Sequence, residues 1–554
     1  MKFNQYSQKV ELVLTIAVLI LSFSSFPILY DESYDAFCNM QVAGQFSDFS
    51  LMDQYYLAWV GFDEIYKFLH NTWPAINWTG MAFIFFNLLG LFLVLVSLKR
   101  ILRLTKVPAY LILVFQLVLS LVYVDNIVSI THTRFSILFC GLSILNFGLT
   151  TNMSKKEYFI YLLLFIVGVL HRPESGIGLF ALIGAALIIL RFYQLFNHAS
   201  RFVLPAVFMI ILYGSFVFDW YKTDLFERKL EPNIEYALTT KRILPLEAMT
   251  NAEDSLRYEM ATQGLFIDED FVSINFLRNL AAVEADFDFV KYTDSVYKLL
   301  NWYVYYPYFP FLLIMLIIMG MISRAGFVFW LKFTLLNGLF FLFMSYISYG
   351  TNIAPRHVSG LLLLNTIAVT FLFFKEVGAG GISKRWHLGL GLVWLFVAVG
   401  TLQNYQYRYE LVQEEVQCYN QAMDKFEENY SDKYVVVTLL NYHLFDQEFK
   451  FFNELRNGNT YIMYDILYYS KVPPYNTYLS KLCNCNSKDP IAFFTWLKEE
   501  GAIYLLAERR QDLTQLYLRE YKGSNLVLVQ DISFPDPVCF QNFGGLDLKV
   551  TRFQ

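Results

Sequence analysis

Up to residue 403 the chain alternates long apolar stretches with short polar connections, and beyond that point the pattern changes. A helix needs about 20 apolar residues to cross the hydrocarbon core of a bilayer. Segments 10–28, 79–97, 107–124, 134–150, 158–171, 175–191, 202–218, 303–322, 329–348, 357–374 and 387–403 come near that length, which predicts eleven spans. The fifth and sixth are short and separated only by His171, Arg172, Pro173 and Glu174. After 404, strand-like runs (Tyr434 to Leu440, Ala502 to Leu506, Asn525 to Val529) alternate with helix-like runs (Pro490 to Glu500, Leu513 to Tyr521). That alternation predicts a small α/β unit. The expected fold class is an all-α polytopic membrane bundle followed by a soluble, extracytoplasmic α/β domain. The expected division is 1–403 for the membrane module, with outer loops 29–78 and 219–302, and 404–554 for the tail.

Composition agrees with a membrane protein. Of 554 residues, 56% are hydrophobic and only 16% charged, against about 25% charged in soluble domains. Lys and Arg (43) nearly balance Asp and Glu (48), so the basic footprint of a nucleic-acid binder is missing. Aromatic residues make up 18% of the chain, which argues against disorder. Basic residues in short loops stay on the cytoplasmic side. With the N-terminus inside, the inner connections hold Lys2, Lys9, Lys99, Arg100, Arg103, Lys106, Lys155, Lys156, Arg191, Arg201, Arg324, Lys332, Lys375, Lys384 and Arg385, whereas the short outer ones hold Lys67, Arg134, Arg172 and Arg356. The first apolar stretch is longer than the roughly 7–15-residue core of a signal peptide, and no small-residue cleavage site follows. It is expected to remain as an anchor. Much Phe, Tyr, Asn and Lys with little Ala hints at an AT-rich bacterial genome, so a bacterial inner membrane with a periplasmic tail is expected.

Cys418, Cys483, Cys485 and Cys539 fall in the outer tail, where disulfides persist. Cys483 and Cys485 lie only two positions apart, so each is expected to seek a distant partner if it pairs at all; reduced, buried thiols are the other reading.

Ionisable groups at membrane depth are costly and mark function. The spans carry almost no charge. Polar groups gather at their outer ends instead: Asp31, Glu32 and Asp35; Asp125, Asn126, His132 and Arg134; His171, Arg172 and Glu174; Arg356 and His357. Such a face suits a lipid-linked anionic substrate with its tail in the bilayer and its phosphate at the interface. Arg134, Arg172 and Arg356 are candidates for that phosphate, because the guanidinium fork gives two parallel charge-assisted hydrogen bonds; snorkelling at a helix end is the structural alternative. A carboxylate just after the first span can take a proton from an acceptor hydroxyl while a sugar leaves its phosphate. An acid-rich helix start stabilised by the helix dipole is the alternative there. No His or Cys spacing marks a zinc site, so no metal ligand is assigned. The acids Asp268, Glu269 and Asp270 lack the alternation and glycine of a calcium loop and read as a solvated surface. Phe271, Ile274 and Phe276 in the same long loop read as apolar contacts with the interface.

Asp31-Glu32 directly after the first span, followed by Tyr34, Ala36 and Gly44, with Pro74-Ala75-Ile76-Asn77-Trp78 leading into the second span, resembles the GT-C superfamily of membrane glycosyltransferases. The nearest likeness is to the protein O-mannosyltransferase and lipid A aminoarabinose transferase group. The usual Arg between the acids and the Tyr is missing. The resemblance implies transfer of a hexosyl or pentosyl group, with inversion, from a polyprenyl-phosphate donor to a hydroxyl of a lipid, glycan or protein acceptor on the outer face. It implies Asp31 as general base, with Glu32 orienting acceptor or metal, and a donor contact for Arg356-His357. Tyr34, Asp35, Asp125, His132, Arg134, His171 and Arg172 complete the expected substrate-binding set. Some members use a divalent cation and others none, and both stay open. The competing classes are an O-antigen polymerase or ligase, which keeps its key Arg and His in a large late loop, and a lipid or glycan transporter, which predicts symmetric halves. No internal repeat links 10–218 with 303–403.

Overall fold

The computed structural model describes residues 8–30, 65–66, 68–69, 72–73, 75–150, 153–195, 198–222, 238, 243–263, 265, 267–268, 270–281, 289–350, 355–378, 384–437, 460–463, 480, 482–485, 489–530 and 548–553. Helices α1 (Lys9–Ser25), α2 (Trp78–Leu104), α3 (Ala109–Val122), α4 (Val124–Val128), α5 (His132–Leu149), α6 (Lys155–His171), α7 (Pro173–Leu195) and α8 (Ser200–Lys222) form the front of the bundle. The long loop 219–302 carries α9 (Ala252–Thr262) and α10 (Ile274–Ala281). The late helices are α11 (Phe289–Tyr305), α12 (Tyr308–Ile322), α13 (Phe327–Gly350), α14 (Pro355–Glu376) and α15 (Lys384–Asn429).

Each of the eleven predicted segments falls on a helix. Among the described residues, five helices are long and apolar enough to cross a membrane alone, and the pair α11–α12, bent by 83°, makes a sixth candidate. The sequence predicts a span from 303 to 322. The chain turns at Tyr306-Pro307, because proline lacks an N–H and disfavours helical geometry in the residue before it.

Helix α5 is the axis of the bundle: α2, α6, α7 and α14 all pack against it. Its side chains from Phe135 to Leu149 are buried almost without break, so it reads as apolar all round, the pattern of a helix enclosed by others. Close approach of α6 requires Gly168: a Cβ there would lie 2.8 Å from Cys140 Sγ and 3.1 Å from the Ser136 carbonyl oxygen. Ser136 Oγ donates to the Gly168 carbonyl at 2.6 Å. Deeper in, Asn146 Nδ2 donates to Ser97 Oγ at 2.9 Å, and Tyr161 Oη lies 3.3 Å from the same hydroxyl, tying α2, α5 and α6.

One of the few charges within the spans is buried and paired. Glu11 in α1 is fully buried, ion-paired with Lys99 of α2 at 2.7 Å and accepting from Gln116 Nε2 of α3 at 2.8 Å. A lone carboxylate at that depth is prohibitive, so a cation and an amide come with it.

The tail forms a five-stranded sheet of β3 (Tyr434–Val437), β4 (Thr460–Met463), β5 (Ile503–Ala507), β6 (Leu528–Gln530) and β7 (Leu548–Phe553), in the order β4-β3-β5-β7-β6. β3 runs parallel to β4 and β5, while β7 is antiparallel to β5 and β6. Helices α16 (Pro490–Glu499) and α17 (Glu508–Glu520) flank β5 in sequence. Phe493, Phe494, Leu497, Tyr504, Leu505 and Leu518 fill this core. The expected boundary at 403/404 falls inside α15, which runs on to Asn429 with neither Pro nor Gly after Gly400 to stop it.

Cys483 and Cys485 are bonded to each other, correcting the expectation of distant partners. Asn484 between them takes a positive φ of 48°, which turns the chain back and brings the two Cα atoms to 5.1 Å. Asn is among the few non-glycine residues that tolerate that region.

Candidate functional site

Two short strands hold one mouth of the bundle together. After α1 the chain enters β1 (Leu29–Tyr30), which pairs in parallel with β2 (Ser129–Ile130) between α4 and α5, with Leu29 opposite Ser129 and Tyr30 opposite Ile130. Phe26, Ile28 and Leu29 are buried there. Thr131 then starts α5 by accepting the Thr133 amide on its hydroxyl at 3.3 Å, satisfying one of the donors that a helix start leaves open.

Around that pairing lies a buried polar hub. Arg134 of α5 is ion-paired with Asp125 of α4 at 2.5 Å, and each is 1% exposed. Asp125 Oδ2 also accepts from Tyr306 Oη at 2.9 Å, and Oδ1 from Tyr409 Oη at 3.0 Å and, more weakly, Tyr305 Oη at 3.4 Å. Arg134 donates further to Asn126 Oδ1 at 2.8 Å and Ser129 Oγ at 3.2 Å, and Ser359 of α14 reaches Asn126 Oδ1 at 2.9 Å. One carboxylate thus binds α4, α5, the α11–α12 turn and α15 together. Tyr405, fully buried, packs against Tyr305 at 5.6 Å and meets Tyr306 edge-on at 6.1 Å. Arg408 lies over the Tyr305 ring at 4.1 Å, and Phe26 meets Tyr409 edge-on at 6.2 Å.

The other expected residues sit as follows. Arg172 is half-buried and donates to Thr133 Oγ1 at 2.5 Å, beside the start of α5. His171 is buried, its Nδ1 2.8 Å from the Val167 carbonyl and its ring edge-on to Phe135 and Phe86. His132 opens α5, and Arg356 and His357 stand in the first turn of α14, His357 half-buried; the side chains of His132 and Arg356 lie outside the described residues. Asp31, Glu32, Tyr34 and Asp35 lie outside them as well, though Tyr30 beside Ile130 fixes where the chain leaves for them. The structure therefore gathers Asp125, Arg134 and Arg172 at one mouth, with Arg134 neutralised by Asp125 and Arg172 outside that pair. Among the described residues no group of three or more His, Cys, Asp or Glu could hold a metal ion.

Sequence reasoning missed Tyr305, Tyr306, Tyr405 and Tyr409. The signal was present: Tyr303 to Tyr308 and Tyr405 to Tyr409 are dense in tyrosine at span ends, where a phenol pairs an apolar ring with a hydroxyl that seeks a partner.

Residues of the long loop 219–302 are docked on the tail, which corrects two expectations. Asp268 is not a solvated acid. It is 3% exposed, accepts from Tyr517 Oη of α17, and is ion-paired with Lys522 at 2.7 Å. Burial raises its pKa, but those hydrogen bonds and the Lys522 charge outweigh it and hold the carboxyl below the usual Asp range. Nor does Phe271 rest on the interface: it is buried against Tyr517 and Tyr521, with ring centroids 5.1 and 4.7 Å apart, and Arg257 of α9 covers it at 5.1 Å. Arg509 and Glu259 add an ion pair between α17 and α9.

No family model matches the chain, and no curated protein matches it. Among solved structures, the chain is similar to apo ArnT from Cupriavidus metallidurans, with 12% sequence identity, a TM-score of 0.39, and coverage of 98% of this chain and 97% of that one.

Proposed function

We propose that this protein is an integral membrane glycosyltransferase that moves a sugar from a polyprenyl-phosphate donor to a hydroxyl of a lipid, glycan or protein acceptor at the outer membrane face. The observation that carries the reading is the β1–β2 pairing. It brings the residue before Asp31 alongside Ile130, four residues ahead of Arg134 and three ahead of Thr133, which accepts from Arg172. In sequence Asp31 follows directly on β1, and Arg172 reaches the start of α5, which follows β2. In this reading Asp31 takes the acceptor proton and Glu32 orients the acceptor. Arg172, with Arg356 and His357, meets the phosphate as it departs and gains negative charge. Arg134 and Asp125 neutralise one another, so their part is to hold the mouth in shape. Tyr34, Asp35, His132 and His171 line the donor and acceptor paths.

Sugar transfer in proteoliposomes, with a panel of polyprenyl-phosphate sugars, tests this directly. Asp31→Asn is expected to lower turnover at least about 100-fold, the usual worth of general-base catalysis, with donor binding retained; Glu32→Gln should cost less. Full activity in Asp31→Asn removes that residue from the chemistry. Absence of donor binding by the wild type removes the glycosyltransferase reading.

A further inference from the structure

A second charged cluster lies at the opposite end of the bundle. Arg191 stands 19 residues beyond Arg172 along α7, about 28 Å by helical rise, and Lys375 stands 16 residues beyond Ser359 along α14. The charge distribution of the sequence predicts that this end faces the cytoplasm. Helix α7 breaks at Arg191, whose φ and ψ of −149° and 43° leave the helical region. Lys375 Nζ donates to the Leu190 carbonyl at 2.7 Å, closing on the break. Both cations flank the Phe371 ring, at 5.3 and 6.0 Å from its centroid. Lys332 of α13 joins them through Glu376, at 2.6 Å, with Lys375 at 4.0 Å from the same oxygen.

The charges do not balance. Two of the three cations, Lys332 and Lys375, share the one carboxylate, and in the sequence Glu376 is the only acid between Asp294 and Glu410, while none occurs between Glu174 and Asp219. Arg191 Nε and Nη1 are buried and have no hydrogen-bond partner among the described residues. Charged donors without an acceptor are expensive to bury, and a guanidinium fork is shaped for phosphate oxygens. The surface beside the cluster is apolar and open: Ile188 is 47% exposed, Leu331 46% and Val328 54%. Basic residues between helix ends, bordered by apolar side chains, fit an anionic headgroup whose acyl chains run along the helices. We propose that Arg191, Lys375 and Lys332 form a binding site for the phosphate of an anionic phospholipid, separate from the sugar-transfer mouth.

The test uses the full chain in mixed micelles, with lipid binding read by native mass spectrometry and by thermal stabilisation. The probes are phosphatidylglycerol, phosphatidylcholine and inorganic phosphate. Wild type should bind phosphatidylglycerol in preference to phosphatidylcholine. Arg191→Gln and Lys375→Gln should each weaken that binding about fivefold, the usual worth of one basic residue at a lipid surface, and Lys156→Gln, an exposed lysine predicted to face the same side, should not. If Arg191→Gln does not fold, Lys375→Gln and Lys332→Gln carry the same reading. Unchanged binding in the site variants, an equal loss in Lys156→Gln, or equal stabilisation by inorganic phosphate would each overturn the proposal.

Discussion

The Asp125–Arg134 pair should behave as a single thermodynamic unit, and a double-mutant cycle measures that. Both side chains are 1% exposed, so removing either leaves a buried charge without its counter-charge, a loss of about 3–5 kcal/mol. For Asp125→Leu the loss includes the acceptor for Tyr306 and Tyr409; for Arg134→Met it includes the donors to Asn126 and Ser129. The double variant has no stranded charge. Its cost is that of the tyrosine and amide groups left unmatched, about 1–3 kcal/mol, well below the sum of the singles. A coupling of at least about 2 kcal/mol is therefore expected. The assay is the midpoint of unfolding in a denaturing-detergent titration, comparing wild type, both singles and the double. Additive singles, within about 0.5 kcal/mol as found for independent sites, would show that the pair is solvated and that the hub is not what holds the four segments together.

Asp268 should make docking of the long loop on the tail acid-sensitive. Its carboxyl titrates below the usual range when folded, so its contribution is present above the unfolded pKa of about 3.9 and is lost as pH falls through the lower, folded value. Proteolysis of segment 243–281 followed from pH 7 downward should accelerate only in that acid range, and Asp268→Asn should be nicked faster already at pH 7 with a flattened profile; an unchanged profile removes Asp268 as the clasp. Gly168→Val should push α6 off α5 at Ser136 and Cys140 and destabilise by about 1–3 kcal/mol, the usual cost of overpacking. The same denaturing-detergent midpoint reads this, and a wild-type midpoint would mean that the two helices can separate at no cost.

The helices were legible because each span writes its own local signature, a run of apolar residues ended by polar ones. The same locality explains the tail, where Ile503–Ala507 and Pro490–Glu499 fall on predicted runs. What was not legible is long-range pairing. Asp125 reads as an interfacial acid until Tyr306 arrives from 181 residues away and Tyr409 from 284. Asp268 reads as solvated until Tyr517, 249 residues on, covers it. Glu11 drew no reading from the sequence, because its partners Gln116 and Lys99 lie on other helices. The Cys483–Cys485 bond needed a left-handed Asn484, which spacing alone does not announce. Arg172 and Arg134 were both visible as cations at predicted outer span ends, but only geometry shows that Arg134 is paired with Asp125 and that Arg172 reaches Thr133.

Helix α15 makes the membrane bundle and the tail one mechanical body. From Tyr409, clamped in the hub, to Asn429, the last turn before β3, the helix continues for 20 residues, about 30 Å of unbroken rise. No Gly or Pro interrupts that length to act as a hinge. The tail is therefore the long arm of a lever whose fulcrum is Asp125. A tilt of 10° at the hub displaces the far end of that rod by about 5 Å, by the same rise, so any load on the sheet is felt at the tyrosines that frame the mouth.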